Sequence, residues 1–389
     1  MFTPSLLNKL LVNYLIMKEL LEKLITFKTI SKDHEENNKA IDWIIREVEH
    51  LPVNINKYDS NGFPSLTITT KKTNKPTLWL QAHLDVVSGS EDVFKPKVLD
   101  GKLFGRGAFD MKYAIACYLK LLQDFNNELV NYDFGIMITT DEEVGGLNGV
   151  KYLLDSGLGS KVCFLPDGGQ NWEIQKAAKG VLHLKVESLG KSVHGSRVWE
   201  GVNAIEILIE YINRIKSHFP QEPCNFKDHF HNTINVGKIE GGKSVNQVPD
   251  FAEALLDIRY TPETKKESLL ELFKEAAADL PQVTFKEIVS GSSYSIDTGN
   301  QYIKLFLQIV SKELNIEPVF ITSHGSSDAR FFAEKNIPTI LTRPHGGSHH
   351  SEKEWVDLED LNRFYKVLRL FVESVAKLQP SEVMLKSER

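Results

Sequence analysis

Five stretches place acidic or imidazole side chains straight after an apolar, strand-like run. "TLWLQAHLDVV" carries His83 and Asp85, "FGIMITTDEEVGG" carries Glu142 and Glu143, and "CFLPDGG" carries Asp167. "VFITSHGSSDARF" carries Asp328, and "TILTRPHGGSHHSEKEW" leads to His349 and His350. A sixth stretch, "GKLFGRGAFDMK", sets Asp110 after turn glycines and before a helix. Each alone has an ordinary explanation. His83 and Asp85 are two apart, so on a strand they share a face and read as a hydrogen-bonded core pair. Paired glutamates are usually solvated charge, and "PDGG" is turn chemistry. "GRGAFD" lacks the glycine spacing and the Lys-Ser/Thr of a phosphate loop.

Their joint occurrence carries more. In an open α/β sheet, ligands collect outside the carboxyl ends of the strands. If these strands lie side by side, His, Asp, Glu, Asp and His converge on one rim. Nitrogen and oxygen donors without cysteine describe an open, catalytic zinc-type site rather than a closed structural one. Two imidazoles and three carboxylates suit two ions sharing a bridging carboxylate, an arrangement that activates a water between them. Neighbouring glutamates in "DEE" cannot both aim at one ion. One can bind while the other serves as a base.

The elements around these residues alternate. Strand-like "PSLTITT", "PTLWLQA", "DFGIMITT" and "KVCFLPD" are interleaved with the helical patterns "KAIDWIIREVEHL" and "YAIACYLKLLQDF". This predicts α/β architecture with a largely buried sheet. From about residue 180 the order becomes β-α-β-β-α-β, a ferredoxin-like split unit. The α/β pattern then resumes. The expected layout is a discontinuous catalytic domain, residues 1–179 and 291–389, with an inserted lid or dimerisation domain at 180–290.

Bulk properties narrow the function classes. The 389 residues leave room for two domains, and 41% hydrophobic with 25% charged residues is an ordinary globular composition. A net charge of −6 offers no electrostatic footprint for nucleic acid. Cys117, Cys163 and Cys224 are scattered. They read as small core hydrophobes in a reducing, cytoplasmic setting and argue against a disulfide framework or a thiolate zinc site. No apolar run has the length of a membrane span. The opening "MFTPSLLNKLLVNYLIMKELLEKL" lacks a small-residue cleavage site and reads as an amphipathic helix, with Met17 a second candidate start.

With these motifs in place, the chain resembles the zinc metallopeptidase and deacylase family of acetylornithine deacetylase, succinyl-diaminopimelate desuccinylase, aminoacylase, carnosinase and carboxypeptidase G. The resemblance runs through "HLDVV", "DGKLFGRGAFDMK" and "TTDEEVGG", then "GKSVHGSRVWEGVNAI", "GGKSVNQVPDFAEALLDIRY" and "TSHGSSDARF". It implies two divalent ions, zinc first, with cobalt or manganese as alternatives. It implies His83 and Asp167 on one ion, Glu143 and a C-terminal His on the other, and Asp110 as the bridge. The family's ligand stands four residues before a Glu, which selects His350 (Glu354 follows) over His349. Asp85 would orient the His83 ring, Glu142 would be the general base and acid, and His194 would stabilise an oxyanion. Asn246, Arg259, Ser326 and Ser327 would meet the substrate's polar end. The implied substrate is a small peptide or N-acyl amino acid. The implied assembly is a homodimer through the lid, with no nucleic-acid or membrane partner. Asp167 stands where deacetylase and desuccinylase relatives usually carry Glu, and dipeptidase and aminopeptidase relatives more often Asp. His324 stands where relatives often have Gly.

Overall fold

The computed structural model describes residues 4–220 and 222–377. Two compact units divide the chain. The first runs through residue 176 and resumes over 296–321 and from 327 onward; the second comprises 177–295 and 322–326.

In the first unit, α1 (Pro4–Thr26) and α2 (His34–Val48) precede β1 (Asn54–Ser60), β2 (Phe63–Thr69) and β3 (Leu78–His83). Then come α3 (Lys112–Phe125), β4 (Phe134–Thr139) and β5 (Val162–Phe164). The second unit holds β6 (Gly180–Leu189), α4 (Ala204–Lys216), β7 (Thr233–Gly241), β8 (Phe251–Tyr260), α5 (Lys266–Ala276) and β9 (Val283–Gly291). The first unit closes with α6 (Gln301–Leu314), β10 (Thr339–Ile340) and α7 (Leu358–Ala376).

The first unit's sheet has the order β1-β2-β4-β3-β5-β10. Strands β4, β3, β5 and β10 are parallel, and β1 and β2 join antiparallel at one edge. The parallel strands are buried along their length, which is why they read as continuous apolar runs rather than alternating ones. Register is set by shape. Trp79 on β3 pairs with Gly135 on β4, and a Cβ on Gly135 would lie 2.2 Å from the Trp79 ring. The Trp79 indole also donates to Gly159 O at 2.8 Å. With Trp79 locked, His83 ends its strand opposite Thr139. The segments after both strands therefore leave the same edge of the sheet.

Helices α1 and α2 pack with α3, and α6 packs with α7. Met17, Leu20, Leu21, Leu24 and Ile25 form the buried stripe of α1 at helical spacing. The α1 end is held by the buried Lys112, whose Nζ donates to Leu24 O at 3.0 Å and Phe27 O at 2.8 Å. Among the described residues, no helix is long and apolar enough to cross a membrane.

The second unit is the β-α-β-β-α-β fold expected from the sequence. Its antiparallel sheet has the order β7-β8-β6-β9. Alternate residues of β6 and β8 turn inward: Leu182, Leu184 and Val186 meet Ala252, Ala254, Leu256 and Ile258. Helix α4 starts at Asn203, whose side chain accepts from the backbone N–H groups of Ile205 and Glu206. Its Leu208, Tyr211 and Ile215 share that core with Phe273 of α5. The apolar stripe of "NAIEILIEYINRI" is thus spent inside its own unit. Residues 322–326, read from sequence as part of the returning catalytic segment, group with this unit. Lys179 N donates to Ser323 O at 3.1 Å, and His324 Nε2 donates to Asp228 O at 3.0 Å.

Candidate metal centre

Three parallel strands deliver the first group of side chains. His83 is the last residue of β3, Glu142 and Glu143 lie three and four residues past β4 in a 3-10 turn, and Asp167 follows β5. The "EEVGG" turn ends on Gly145 and Gly146, both at positive φ. A Cβ on Gly146 would come within 2.0 Å of the Asp328 carboxylate, so the turn has no room for a side chain there.

Asp110 and His350 come from loops. Asp110 precedes α3, and His350 lies between the short strands Gly346–Gly347 and Trp355–Asp357. Those strands join Lys102–Phe104 and Lys97–Leu99 in a small sheet. Glu354 ties the two loops together. Its Oε1 accepts from the N–H groups of Phe109 and Asp110, each at 2.9 Å, and its Oε2 accepts from Arg106 Nη1 at 2.9 Å. Both side chains of this ion pair are about fully buried, at 2% and 1% exposure.

The result is a cluster that divides in two. Ligand-type atoms of His83, Glu142 and Asp167 converge within 4.8 Å, as do those of Asp110, Glu143 and His350. Asp110 spans both groups. Its Oδ1 is 3.3 Å from His83 Nε2, and its Oδ2 is 3.2 Å from His350 Nε2. His350 Nε2 is also 3.1 Å from Glu143 Oε1. His349 turns toward the Phe109 ring, 6.4 Å between centroids. Adjacent Glu142 and Glu143 therefore face different groups.

The donors fit divalent cations. His83 Nδ1 donates to Asp85 O at 2.9 Å, which leaves Nε2 as the lone-pair nitrogen. That Nε2 is buried and has no hydrogen-bond partner, while carboxylate oxygens stand around it. Burial alone would lower the His83 pKa, yet Asp110, Asp167 and Asp85 outweigh it and raise it well above the usual value. Contacts with Asp110 and Glu143 push His350 up to about 10. Burial pushes the Glu142 carboxyl well above the carboxylate range, and the negative charge of Asp167, Asp328 and Glu143 adds to this. The site thus gathers negative charge that cations would balance.

Asp85 meets the His83 ring through its main chain. Its backbone carbonyl, not its carboxylate, receives the His83 N–H, and the nearer carboxylate oxygen stands 3.6 Å away. The carboxylate instead accepts from the N–H groups of Glu142 at 3.2 Å and Glu143 at 3.1 Å, and from Ser31 Oγ at 2.7 Å. It fixes the glutamate turn. The reason is reach: the strand ends at His83, so Asp85 has left the pleat that would have aligned the two side chains.

Of the remaining expected residues, Ser327 lies in the first unit, buried, with an unpartnered Oγ. His194, Asn246, Arg259 and Ser326 belong to the second unit. There His194 is exposed and its Nδ1 is 2.9 Å from Ser196 Oγ. Arg259 donates to both oxygens of Asp257, at 2.8 and 3.3 Å.

Sequence reasoning missed Arg343. Its Nη2 donates to Asp110 Oδ1 at 3.0 Å and to Asp167 Oδ1, and it stands over the Phe109 ring. The signal was available: Arg343 follows the apolar "PTILT" just as Asp85 and Asp167 follow their strands. The positioning of Glu354 was missed too; in the sequence it served only as a spacing mark.

The profile of peptidase family M20/M25/M40 matches residues 79–374. The succinyl-diaminopimelate desuccinylase of Rickettsia felis is 27% identical over 382 residues, spanning 91% of this chain and 98% of that protein. Among solved structures, aminopeptidase PepT from Bacillus cereus superposes with a TM-score of 0.78 at 21% identity, covering 93% of this chain and 98% of that one. A tripeptidase from Staphylococcus aureus gives 0.74 at 22%, with the same coverage. Human carnosine dipeptidase 1 gives 0.69 at 13%, covering 95% and 98%. These likenesses show the fold.

Replacing Glu354 by Ala removes one partner of a buried ion pair and leaves two backbone N–H groups without an acceptor. Such losses cost about 3–5 kcal/mol. Denaturant unfolding should register a drop of that size, and metal analysis should find weakened metal retention. An unchanged unfolding midpoint would show that Glu354 does not hold the Asp110 loop.

Proposed function

Because the chain belongs to peptidase family M20/M25/M40 and is a metallohydrolase of amide bonds, we propose that it is a dinuclear zinc peptidase cleaving dipeptides or short peptides. His83 and Asp167 would hold one ion, Glu143 and His350 the other, with Asp110 shared between them. Bound ions supply carbonyl polarisation and a water acidified toward neutral pH. The chain's own residues do the rest. Arg343 holds Asp110 and Asp167 in place by hydrogen bonds. Asp85 fixes the turn on which Glu142 stands. Glu142 takes the proton of the attacking water and returns it to the leaving amine. Its raised pKa, caused first by burial, suits a group that must hold a proton between these steps. His194, Asn246, Arg259, Ser326 and Ser327 are assigned to the oxyanion and to the substrate's polar end.

The observation that supports a peptidase is Asp167 at the ligand position where the deacylase branch usually carries Glu. The desuccinylase relatives favour a second reading, hydrolysis of an N-acyl amino acid. The same proposal extends to assembly. Strands β7 and β9 are the outer strands of the lid sheet, with Ile239, Ile288 and Val289 exposed along them. An open strand edge is a ready site for pairing with a second copy, and two-fold pairing is the commonest form of self-association. His194 would then serve the neighbouring subunit's site.

Glu142→Gln should retain both metals and lose about 10²–10⁴-fold in turnover, the usual worth of a general acid–base group. Glu143→Gln should lose metal. Metal loss in the first variant and not the second would reverse the two roles. His350→Ala should likewise release one ion while His349→Ala keeps both.

On the zinc-loaded enzyme, a panel of free-amino dipeptides should be hydrolysed faster than acetylornithine or succinyl-diaminopimelate. The opposite ranking would establish the deacylase reading.

Two inactive variants, His194→Ala and Glu142→Ala, should regain activity when mixed and allowed to exchange subunits. One site of each hybrid dimer then holds Glu142 with the partner's imidazole. Verified exchange without recovered activity, or a monomer in solution, would end the idea.

A further inference from the structure

The second unit holds another convergence of metal-type donors, outside the site described above. In "EPCNFKDHFHN", Glu222, Cys224, His229 and His231 bring ligand-type atoms within 4.8 Å of one another. Cys224 Sγ is 2.9 Å from His229 Nδ1 and 3.0 Å from His231 Nε2. Glu222 Oε1 is 3.3 Å from His231 Nε2, and Glu222 Oε2 is 3.9 Å from His229 Nδ1. Tetrahedral zinc with bonds of about 2.0–2.3 Å separates its donor atoms by roughly 3.3–3.8 Å. The separations here run from 2.9 to 3.9 Å around that range, and a bound ion would draw Cys224 Sγ a few tenths of an ångström away from each ring.

The surroundings are built for it. His231 is 5% exposed, and its Nδ1 donates to Asn232 O at 2.8 Å. That bond fixes the ring and leaves Nε2 as the lone-pair nitrogen facing the sulfur, the arrangement that ligating histidines show. Asn232 is in turn anchored: its Nδ2 donates to Thr264 Oγ1 at 2.8 Å, and its Oδ1 accepts from Thr261 N at 2.9 Å. The loop backbone is tied from two sides. Lys179 Nζ donates to His229 O at 3.1 Å, and His324 Nε2 donates to Asp228 O.

We propose that Glu222, Cys224, His229 and His231 form a separate site for one zinc-type ion, which clamps the loop onto the lid unit. Four protein donors, one of them a thiolate, leave no open position, so the site is structural rather than catalytic. It is independent of the catalytic reading, because the catalytic cluster contains no sulfur.

That difference supplies the test. Cobalt(II) bound to a thiolate gives an intense near-ultraviolet charge-transfer absorption that nitrogen and oxygen donors do not give. Cys117 and Cys163 are buried, so Cys224 is the cysteine open to it. The full-length protein, stripped of metal and titrated with Co²⁺, should develop this band at one equivalent per chain. Zn²⁺ should abolish it, and Cys224→Ala should lack it while binding one ion fewer than the parent. Should that variant fail to fold, alkylation of the unmutated protein by iodoacetamide decides instead: Zn²⁺ should protect Cys224 and a chelator should restore its reaction. No thiolate band at saturating Co²⁺, a band that survives in Cys224→Ala, or equal alkylation with and without Zn²⁺ would overturn the proposal.

Discussion

The candidate centre depends on one buried carboxylate that touches no reacting atom. Glu354 accepts two backbone N–H groups from the Asp110 loop and a guanidinium from Arg106. Buried N–H groups need an acceptor, and neither Phe109 nor Asp110 belongs to a strand whose ladder would supply one. A carboxylate does so for both at once, and Arg106 balances its charge. Because Glu354 begins the return toward Trp355–Asp357, the same contact fixes the segment that carries His350. Asp110 can therefore present one oxygen to His83 and the other to His350 without drifting toward either.

Charge is distributed with equal purpose. Asp110, Asp141, Glu142, Glu143, Asp167 and Asp328 face two imidazoles and Arg343. They do not behave alike. Burial works against the Asp110 carboxylate, but Arg343, His350 and His83 hold its pKa well below the usual range. On the other side, burial pushes Asp328 up to about 8 and Asp141 up to about 6, each raised further by neighbouring carboxylates. Protons are thus held most weakly at Asp110, where cations are expected, and more tightly at Glu142 and Asp328. Carboxyls whose environments drive them apart are the usual mark of divided acid and base roles.

Much of this was legible because parallel strands are read easily. Buried runs such as "TLWLQAH" and "FGIMITT" end abruptly in charge, and a parallel sheet brings those ends to one edge. The lid was legible for the complementary reason: its strands alternate, and its helices carry a single stripe. What escaped lacks periodicity. Strand β1, "NINKYDS", is polar and half exposed, and it is a strand because Asn61 and Gly62 turn it back onto β2 at positive φ. That Asp85 holds the ring by its carbonyl and the turn by its carboxylate depends on where the strand stops, to within one residue. Arg343 and Glu354 are invisible to a reading that looks for ligands rather than for what holds ligands.

Cys224 shows a further limit. Three scattered cysteines argued against thiolate–metal chemistry because that argument looks for cysteines in pairs. A single cysteine completed by two histidines and a glutamate over ten residues falls outside it, and the geometry of the loop brings the four together. On the proposed reading the two kinds of site differ in softness. The catalytic cluster offers imidazole and carboxylate, which accept zinc, cobalt or manganese according to supply. A thiolate discriminates more strongly, holding zinc and cobalt and neglecting manganese. The metal content of one chain would then divide by chemistry: a catalytic pair that exchanges with the medium, and a loop clamp that keeps to the softer ion.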